Sequence, residues 1–268
     1  EEGYKVDEQA AKESAQEFKQ YEEPEVPSAP RAEPIKGLTS IIIPAYWVHY
    51  PSFHYTGHCI GAIREHTDKE KTPYEIILVI NGKTGITMDK LDQTYADKVI
   101  VNEENEGFSK AVNKGIRCAS GEYIAIINND VLVFENWLSD MQLCLDRVNG
   151  LDLVMATPMY GRPYARQRES MKLREKSVGG GSIEGSFSDF RDFSCIATRK
   201  AFFSELGVFD EKFFVYKEDL DLFNRMDKAG KKYASTKRVN HHHIIGSTSS
   251  NMSDIELEKE KGEKYYHE

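Results

Sequence analysis

Four short apolar runs punctuate the first half of the chain, and each ends where a strand would have to stop. Thr39-Ser40-Ile41-Ile42-Ile43-Pro44 closes on a proline, and Tyr74-Glu75-Ile76-Ile77-Leu78-Val79-Ile80 runs into Asn81-Gly82. Lys98-Val99-Ile100-Val101 is shorter, and Glu122-Tyr123-Ile124-Ala125-Ile126-Ile127 leads into Asn128-Asn129-Asp130. Apolar residues fill consecutive rather than alternate positions, as expected of strands covered on both faces. Helix-length segments lie between the runs, over 57–67, 87–95 and 108–119. This alternation predicts an α/β fold with a mostly parallel central sheet flanked by helices. Ligands of such sheets bind beyond the carboxyl ends of the strands. Tyr46, Asn81 and Asn128-Asn129-Asp130 all follow strand ends, so they are expected to converge.

Past Asp130 the pattern changes. Trp137 to Leu145 reads as a helix and Asp152 to Pro158 as a strand, and another helix is expected to open at Glu218-Asp219. Residues 160–185 have no apolar period, carry six Arg and Lys residues and end near Gly179-Gly180-Gly181. A long basic loop with glycine hinges reads as a lid over phosphates, with a disordered surface loop as the alternative. The chain divides into an N-terminal helix and Pro-rich linker (1–37), a folded domain (38–250) and a charged C-terminal helix (251–268). Residues 1–22 read either as a weakly amphipathic helix or as a solvated tail. Residues 1–37 together are expected to dock a partner, pack on the folded domain or mediate self-association, and the sequence does not choose between these.

Composition narrows the function. With 35 basic against 44 acidic residues the formal charge is −9. That argues against a general nucleic-acid binder, which needs a basic footprint. No apolar run is long enough to span a bilayer, and the start is Glu-rich rather than basic-then-apolar. Cys59, Cys118, Cys144 and Cys195 are too scattered for a metal knuckle or a disulfide framework, so reduced thiols and a cytoplasmic location are expected. The chain opens at Glu1 rather than Met, as a fragment or a processed chain would, and its last helix lacks a capping sequence, as expected if the native protein continues.

Three segments carry candidate chemistry. Asn128-Asn129-Asp130 delivers amide and carboxylate oxygens from a strand end, a donor type that hard divalent cations prefer. The same residues also make a good turn and helix cap. Glu218 and Asp219 open a helix, where the dipole favours carboxylates. A carboxylate held there can also serve as general base for a hydroxyl. In His241-His242-His243 the outer two share one face of an extended strand and His242 takes the other, so at most two can serve one metal. His49, His54 and His58 form a further potential metal cluster, although an aromatic loop explains them better.

In their order along the chain these segments resemble family 2 glycosyltransferases of the GT-A fold, over roughly residues 38–249. Ser40 to Tyr46 is similar to the family's opening strand and nucleotide-binding turn, and Tyr74 to Gly82 to its second strand. Asn105-Glu106-Gly107-Phe108 with Asn113-Lys114-Gly115 resembles its Asn-x-Gly-Phe…Asn-x-Gly segment. Gly121 to Val131 looks like the segment that ends in a DXD-type metal motif. Phe193-Ser194-Cys195, Gly207 to Glu211, Glu218 to Arg225 and His243-Ile244-Ile245-Gly246 match the later half.

The resemblance implies a single GT-A domain that moves a sugar from a nucleotide-diphosphate donor to a glycan or other hydroxyl acceptor, with inversion. Pro44, Ala45 and Tyr46 would border the nucleotide, with Asn81 beside it. Asn105, Gly107 and Asn113 would shape the donor pocket, and Asn128 and Asn129 would lie near the ribose or sugar. Asp130 and His243 would hold a divalent cation, Mn2+ or Mg2+. Asp219 would be the base, and Glu218 would orient acceptor or sugar. The sequence departs from the family at Ile80, where an Asp usually reads the base, and at Asn128, the first position of the metal motif. The segment from Tyr46 to His58 is also longer than usual. An inactive sugar- or nucleotide-binding module, or a nucleotidyltransferase, would share much of this pattern. The latter would favour an early Gly-rich phosphate loop, which Pro44-Ala45-Tyr46 does not supply.

Overall fold

The structure is a computed structural model that describes residues 33–91, 96–159, 187–188 and 191–244, together with Lys261 and Lys264. The helix and linker expected before residue 33, and the self-association assigned to them, lie outside the described residues. So do the basic loop at 160–185, Gly246 and all but two residues of the C-terminal helix. The folded part starts slightly earlier than expected. Strand β1 (Ile35–Ala45) takes in Ile35 to Gly37, and the Ile35 N–H donates to the Ser120 carbonyl at 2.8 Å.

β1 pairs in parallel with β2 (Tyr74–Asn81) and β4 (Gly121–Ile127), and β2 pairs in parallel with β3 (Lys98–Asn102). Beyond β4 the sheet becomes mixed. β8 (Cys195–Arg199) runs antiparallel to β4 and to β6 (Leu151–Met159). β9 (Lys232–His243) is parallel to β6 but antiparallel to β5 (Val131–Val133) and to β7 (Phe187–Ser188). The order is β3-β2-β1-β4-β8-β6-β9-β5, with β7 on β9. The α/β single-sheet architecture is as expected, but apart from the β6–β9 pair its parallel part lies in the first half. Short βαβ connections dictate parallel pairing there, whereas the later strands return from distant segments.

Each consecutive apolar run divides between two cores. Ile41, Ile43, Ile76, Leu78, Ala125 and Ile127 face α1 (Tyr50–His66) and α4 (Trp137–Arg147). Ile42, Ile77, Val79, Ile124 and Ile126 face α3 (Phe108–Cys118), α5 (Lys200–Leu206) and α6 (Glu218–Lys228). This two-sided burial explains why the strands lack a polar face.

α1 begins seven residues before the expected helix, and this absorbs the long segment after Tyr46. His49 caps it: its Nδ1 accepts from the Ser52 N–H at 3.0 Å, while the Ser52 hydroxyl oxygen accepts from the His49 N–H at 3.4 Å. Histidine is an unusual cap, which hid the helix start. α2 (Gly85–Lys90) begins two residues before the expected 87–95, of which 92–95 lie outside the described residues. In α3, Gly115 lies on β1 so closely that a Cβ would sit 2.4 Å from the Ile42 Cγ2.

Candidate active site

The carboxyl ends of β1, β2 and β4, the entry to β8, the exit of β9 and the start of α6 enclose one cavity of 460 Å³. Pro44, Ala45, Tyr46, Asn81, Asn105, Gly107, Asn128, Asn129, Asp130, Glu218, Asp219 and His243 all line it. They come from segments more than 100 residues apart. Asn113 does not line the cavity. It is fully buried in α3, where its amide pairs with both backbone groups of Phe209 and with Glu211.

On the β2 side, Asn81 is saturated. Its Nδ2 donates to Asn105 Oδ1 at 2.7 Å and to the Gly107 carbonyl at 2.9 Å. Its Oδ1 accepts from Asn102 Nδ2 at 2.9 Å and from the Glu106 N–H at 3.0 Å. An amide offers two donors and about two acceptor sites, so Asn81 shapes the loop and keeps little capacity for a base. Ile80 is fully buried, so its side chain offers the cavity nothing. Gly107 has φ +86, and a Cβ there would sit 2.5 Å from the Phe214 carbonyl oxygen. Only glycine fits that crossing.

At the end of β4, the buried Asp130 faces His243, with Oδ1 3.2 Å from Nε2. The backbone holds the pair, because the Ile244 N–H donates to the Asp130 carbonyl at 3.0 Å. Asn128 Nδ2 lies 3.4 Å from the same imidazole nitrogen. Burial pulls the His243 pKa down, but the hydrogen bond and charge of Asp130 outweigh it and the net shift is upward. Asn129 turns toward α1, donating to Thr56 Oγ1 at 3.1 Å.

The expected two-residue period of the histidines is present: His241 and His243 have ring centroids 6.4 Å apart, while His242 Nδ1 lies 3.3 Å from the Met159 carbonyl oxygen. His241 meets a group that sequence reasoning did not single out. Its Nε2 lies 2.6 Å from Ser194 Oγ, which also contacts Asp192 Oδ1. Asp192 lines the cavity as a further carboxylate. Burial holds the His241 pKa down at about 4, so this imidazole is neutral near pH 7. The Ser194 hydroxyl donates its one proton to Asp192 Oδ1, so toward His241 its oxygen can only accept, from Nε2–H.

Asp192 could be found only from the sheet. β8 is antiparallel to β4, with Cys195 opposite Ile127, so the residues preceding β8 lie beside those following β4. The Asn128 N–H donates to the Ser194 carbonyl at 2.9 Å across that junction.

α6 begins after two strained residues. Tyr216 and Lys217 have φ 67 and 72, and neither is glycine. Left-handed conformations at such residues cost on the order of 1 kcal/mol or more and cluster at functional sites. They lead directly to Glu218 and Asp219. Glu218 Oε2 is buried without a hydrogen-bond partner in the protein. Burial pushes its pKa up to about 7; its own backbone N–H pulls the other way, and the charge of Asp219 adds to the rise. Asp219 Oδ1 accepts from the Leu220 N–H at 2.8 Å. Phe214, Val215 and Tyr216 complete this wall.

A cation would find one carboxylate and one imidazole converging at Asp130 and His243. Among the described residues, no group of three or more His, Cys, Asp or Glu side chains could hold a metal ion alone. Two protein ligands completed by substrate phosphates is a usual pattern for Mg2+-type sites, so the residues fit a cation that binds with a diphosphate. His49, His54 and His58 make no such cluster, and His49 is the α1 cap.

A family model described as Glycosyl transferase family 2 matches residues 40–207. An uncharacterized glycosyltransferase of Rickettsia bellii is 24% identical over 220 residues, covering 81% of this chain but 28% of its own length. An N-acetylglucosaminyl-diphospho-decaprenol L-rhamnosyltransferase of Mycobacterium tuberculosis is 43% identical over 80 residues, which is 29% of this chain and 23% of the relative. Glycosyltransferase GlyG of Streptococcus pneumoniae is 32% identical over 108 residues, or 39% and 34%. The chain thus spans about a third or less of these curated relatives. Among solved structures, GalNAc-T7 with UDP, GalNAc and Mn2+ superposes with a TM-score of 0.60 at 17% identity, covering 81% of this chain and 47% of that one. S. aureus TarS 1-349 gives 0.55 at 17% identity, covering 82% and 64%. Both likenesses establish the fold.

Proposed function

This chain belongs to glycosyl transferase family 2, and from that premise we propose that it transfers a sugar from a nucleotide-diphosphate donor to an acceptor hydroxyl, with inversion. The observation that carries the reading is the single cavity that joins the Asp130–His243 pair to Glu218 and Asp219. One pair is suited to a diphosphate and its cation, the other to a hydroxyl. Mn2+ or Mg2+ is the cation proposed, held by Asp130 and His243. When bound, it supplies positive charge against the diphosphate.

The protein's own groups account for the remaining requirements. Pro44, Ala45 and Tyr46 border the donor with the Asn81–Asn105–Gly107 loop, whose hydrogen bonds are already made before ligand arrives. Asp219 takes the proton of the acceptor hydroxyl as that oxygen bonds to the anomeric carbon. The bond from that carbon to the phosphate oxygen breaks, and its electron pair leaves with the diphosphate. Glu218 presents its unpartnered oxygen to a sugar hydroxyl. Asp192 supplies a further carboxylate to the same space.

No helix among the described residues is long and apolar enough to cross a membrane. All four cysteines are buried and none forms a disulfide, which supports the reducing cytoplasm as the proposed location.

The test is Asp219→Asn. Sugar transfer falls at least 1,000-fold, as roughly 4 kcal/mol of lost base assistance would give. Mn2+-dependent thermal stabilisation by UDP-, GDP- and dTDP-sugars stays as in the wild type, because binding to the folded state raises stability by mass action. Normal turnover in this variant would remove Asp219 from its role.

A further inference from the structure

Asn113 belongs to the family-like Asn-x-Gly segment, yet it points away from the cavity. Its Oδ1 accepts from the Phe209 N–H at 3.1 Å and its Nδ2 donates to the Phe209 carbonyl at 2.9 Å. The side-chain amide therefore pairs with one residue's backbone as a neighbouring strand would. A backbone N–H only donates and a carbonyl only accepts, so the amide has one orientation. The Nδ2 makes a second bond, to Glu211 Oε1 at 3.0 Å. Asn113 has no solvent exposure.

The same helix grips the same loop again at its N-terminus. The Phe108 N–H donates to the Phe214 carbonyl at 2.6 Å, and Gly107 packs beneath Phe214 where no Cβ fits. The loop from Phe209 to Phe214 is thus held at both ends by α3. Two residues later come the left-handed Tyr216 and Lys217, then Glu218 and Asp219. α3 itself is pressed onto β1 through Gly115 against Ile42. A strained segment persists only where its surroundings over-determine it. α3 provides that constraint.

We propose that Asn113 is a positioning residue: its amide clamps the Phe209 backbone to α3 and so fixes the left-handed approach that aims Glu218 and Asp219 into the cavity. The Asn-x-Gly pair then has a physical division of labour. Gly115 seats α3 on the sheet that carries the donor wall, and Asn113 ties the catalytic segment to α3. This inference rests on the proposed transfer reaction for its kinetic readout, but not for its structural one.

Two measurements on Asn113→Ala test it. In hydrogen exchange, amides from Phe209 to Lys217 exchange at least ten-fold faster while those of β1 and β2 stay protected. In kinetics, kcat falls about 30-fold, while affinity for UDP, GDP or dTDP offered with Mn2+ stays within two-fold. Glu211→Ala gives a smaller kcat loss of about three-fold in the same direction, and Glu211→Gln, which can still accept the bond, restores it. Unchanged exchange over 209–217 overturns the clamp. So does a nucleotide affinity that falls in step with kcat, which would return Asn113 to the donor pocket. If the wild type transfers no sugar and binds none of the three nucleotides, the transfer reading fails, and exchange alone still decides the clamp.

Discussion

The two halves of the sheet are built to different standards of completeness. In β3-β2-β1-β4 and the loops above them, left-handed backbone falls on glycines: Gly37, Gly82 and Gly107. Buried polar groups there are well paired, and Asn81 uses every donor and acceptor it has. In the half from β5 onward, left-handed backbone falls on Gly150, Gly207 and Gly230 but also on three residues with side chains, Asn136, Tyr216 and Lys217. Glu218 Oε2, Arg225 Nη2, Ser235 Oγ, His241 Nδ1 and His243 Nδ1 are buried there without a hydrogen-bond partner in the protein. In the first half only Ser109 Oγ is in that condition among the described residues. Unpaired buried groups cost free energy and persist where a ligand is to complete them. The β3-β2-β1-β4 half is therefore closed on itself, while the second half keeps strain and open valences, two of which, Glu218 Oε2 and His243 Nδ1, belong to residues that line the cavity.

The joint between the halves should give the largest effect. Gly107→Ala places a methyl 2.5 Å from the Phe214 carbonyl and forces a side chain onto φ +86. Backbone strain and overpacking together should cost roughly 4 kcal/mol. Gly230 has φ +65 and nothing within 4 Å of an added Cβ, so Gly230→Ala isolates the backbone term, about 1 kcal/mol. Urea denaturation of both variants measures the difference. Equal losses would mean that the two halves do not press together at Gly107.

The same asymmetry explains what was legible in the sequence. The first half announces itself locally. Consecutive apolar residues, a stop signal and a helix-length segment repeat, and parallel βαβ pairing then brings Tyr46, Asn81 and Asn128 to one edge. The second half is assembled from antiparallel pairs and the parallel β6–β9 pair, all joining segments far apart in the chain, so the pairing leaves no local signal. Asp192 and His241 meet only because β8 flanks β4 and β9 emerges beside β5, and nothing in Phe193-Ser194-Cys195 says so. Asn113 misled for a related reason. Its family-like position implied a donor contact, whereas its side chain is engaged by Phe209, 96 residues away. The strain at Tyr216 and Lys217 was equally silent, because neither residue type marks a left-handed turn.

Glu218 sharpens the claim of open valences through pH. Its pKa is raised from 4.5 to about 7 in the folded state, chiefly by burial. The folded protein then holds a proton that the unfolded chain gives up. The stability linked to that proton is complete below pH 4.5 and is lost as pH rises through about 7. Glu218→Gln removes the dependence. The variant should match the wild type near pH 4.5 and be more stable at pH 8, by roughly 3 kcal/mol at most. Guanidinium denaturation at the two pH values measures this. A variant less stable at pH 8 would show that Glu218 is satisfied in the resting protein, and the contrast between the halves would lose its strongest member.

The smallest expected effect comes from removing one polar side chain from each half. Asn81→Ala strips partners from Asn102 Nδ2, the Glu106 N–H, the Gly107 carbonyl and Asn105 Oδ1. Leaving such groups unpaired beside a partly wet cavity should cost about 2 kcal/mol. Ser235→Ala removes a fully buried hydroxyl that has no hydrogen-bond partner in the protein, so it should change stability by no more than about 0.5 kcal/mol, or raise it. The chemistry removed is comparable in kind, and only the state of satisfaction differs. Paired melting curves should therefore separate the variants by about 1.5 kcal/mol in favour of Ser235→Ala. The reverse order would place the finished network in the second half, and the strain at Tyr216 and Lys217 would then need a source other than a site awaiting its substrate.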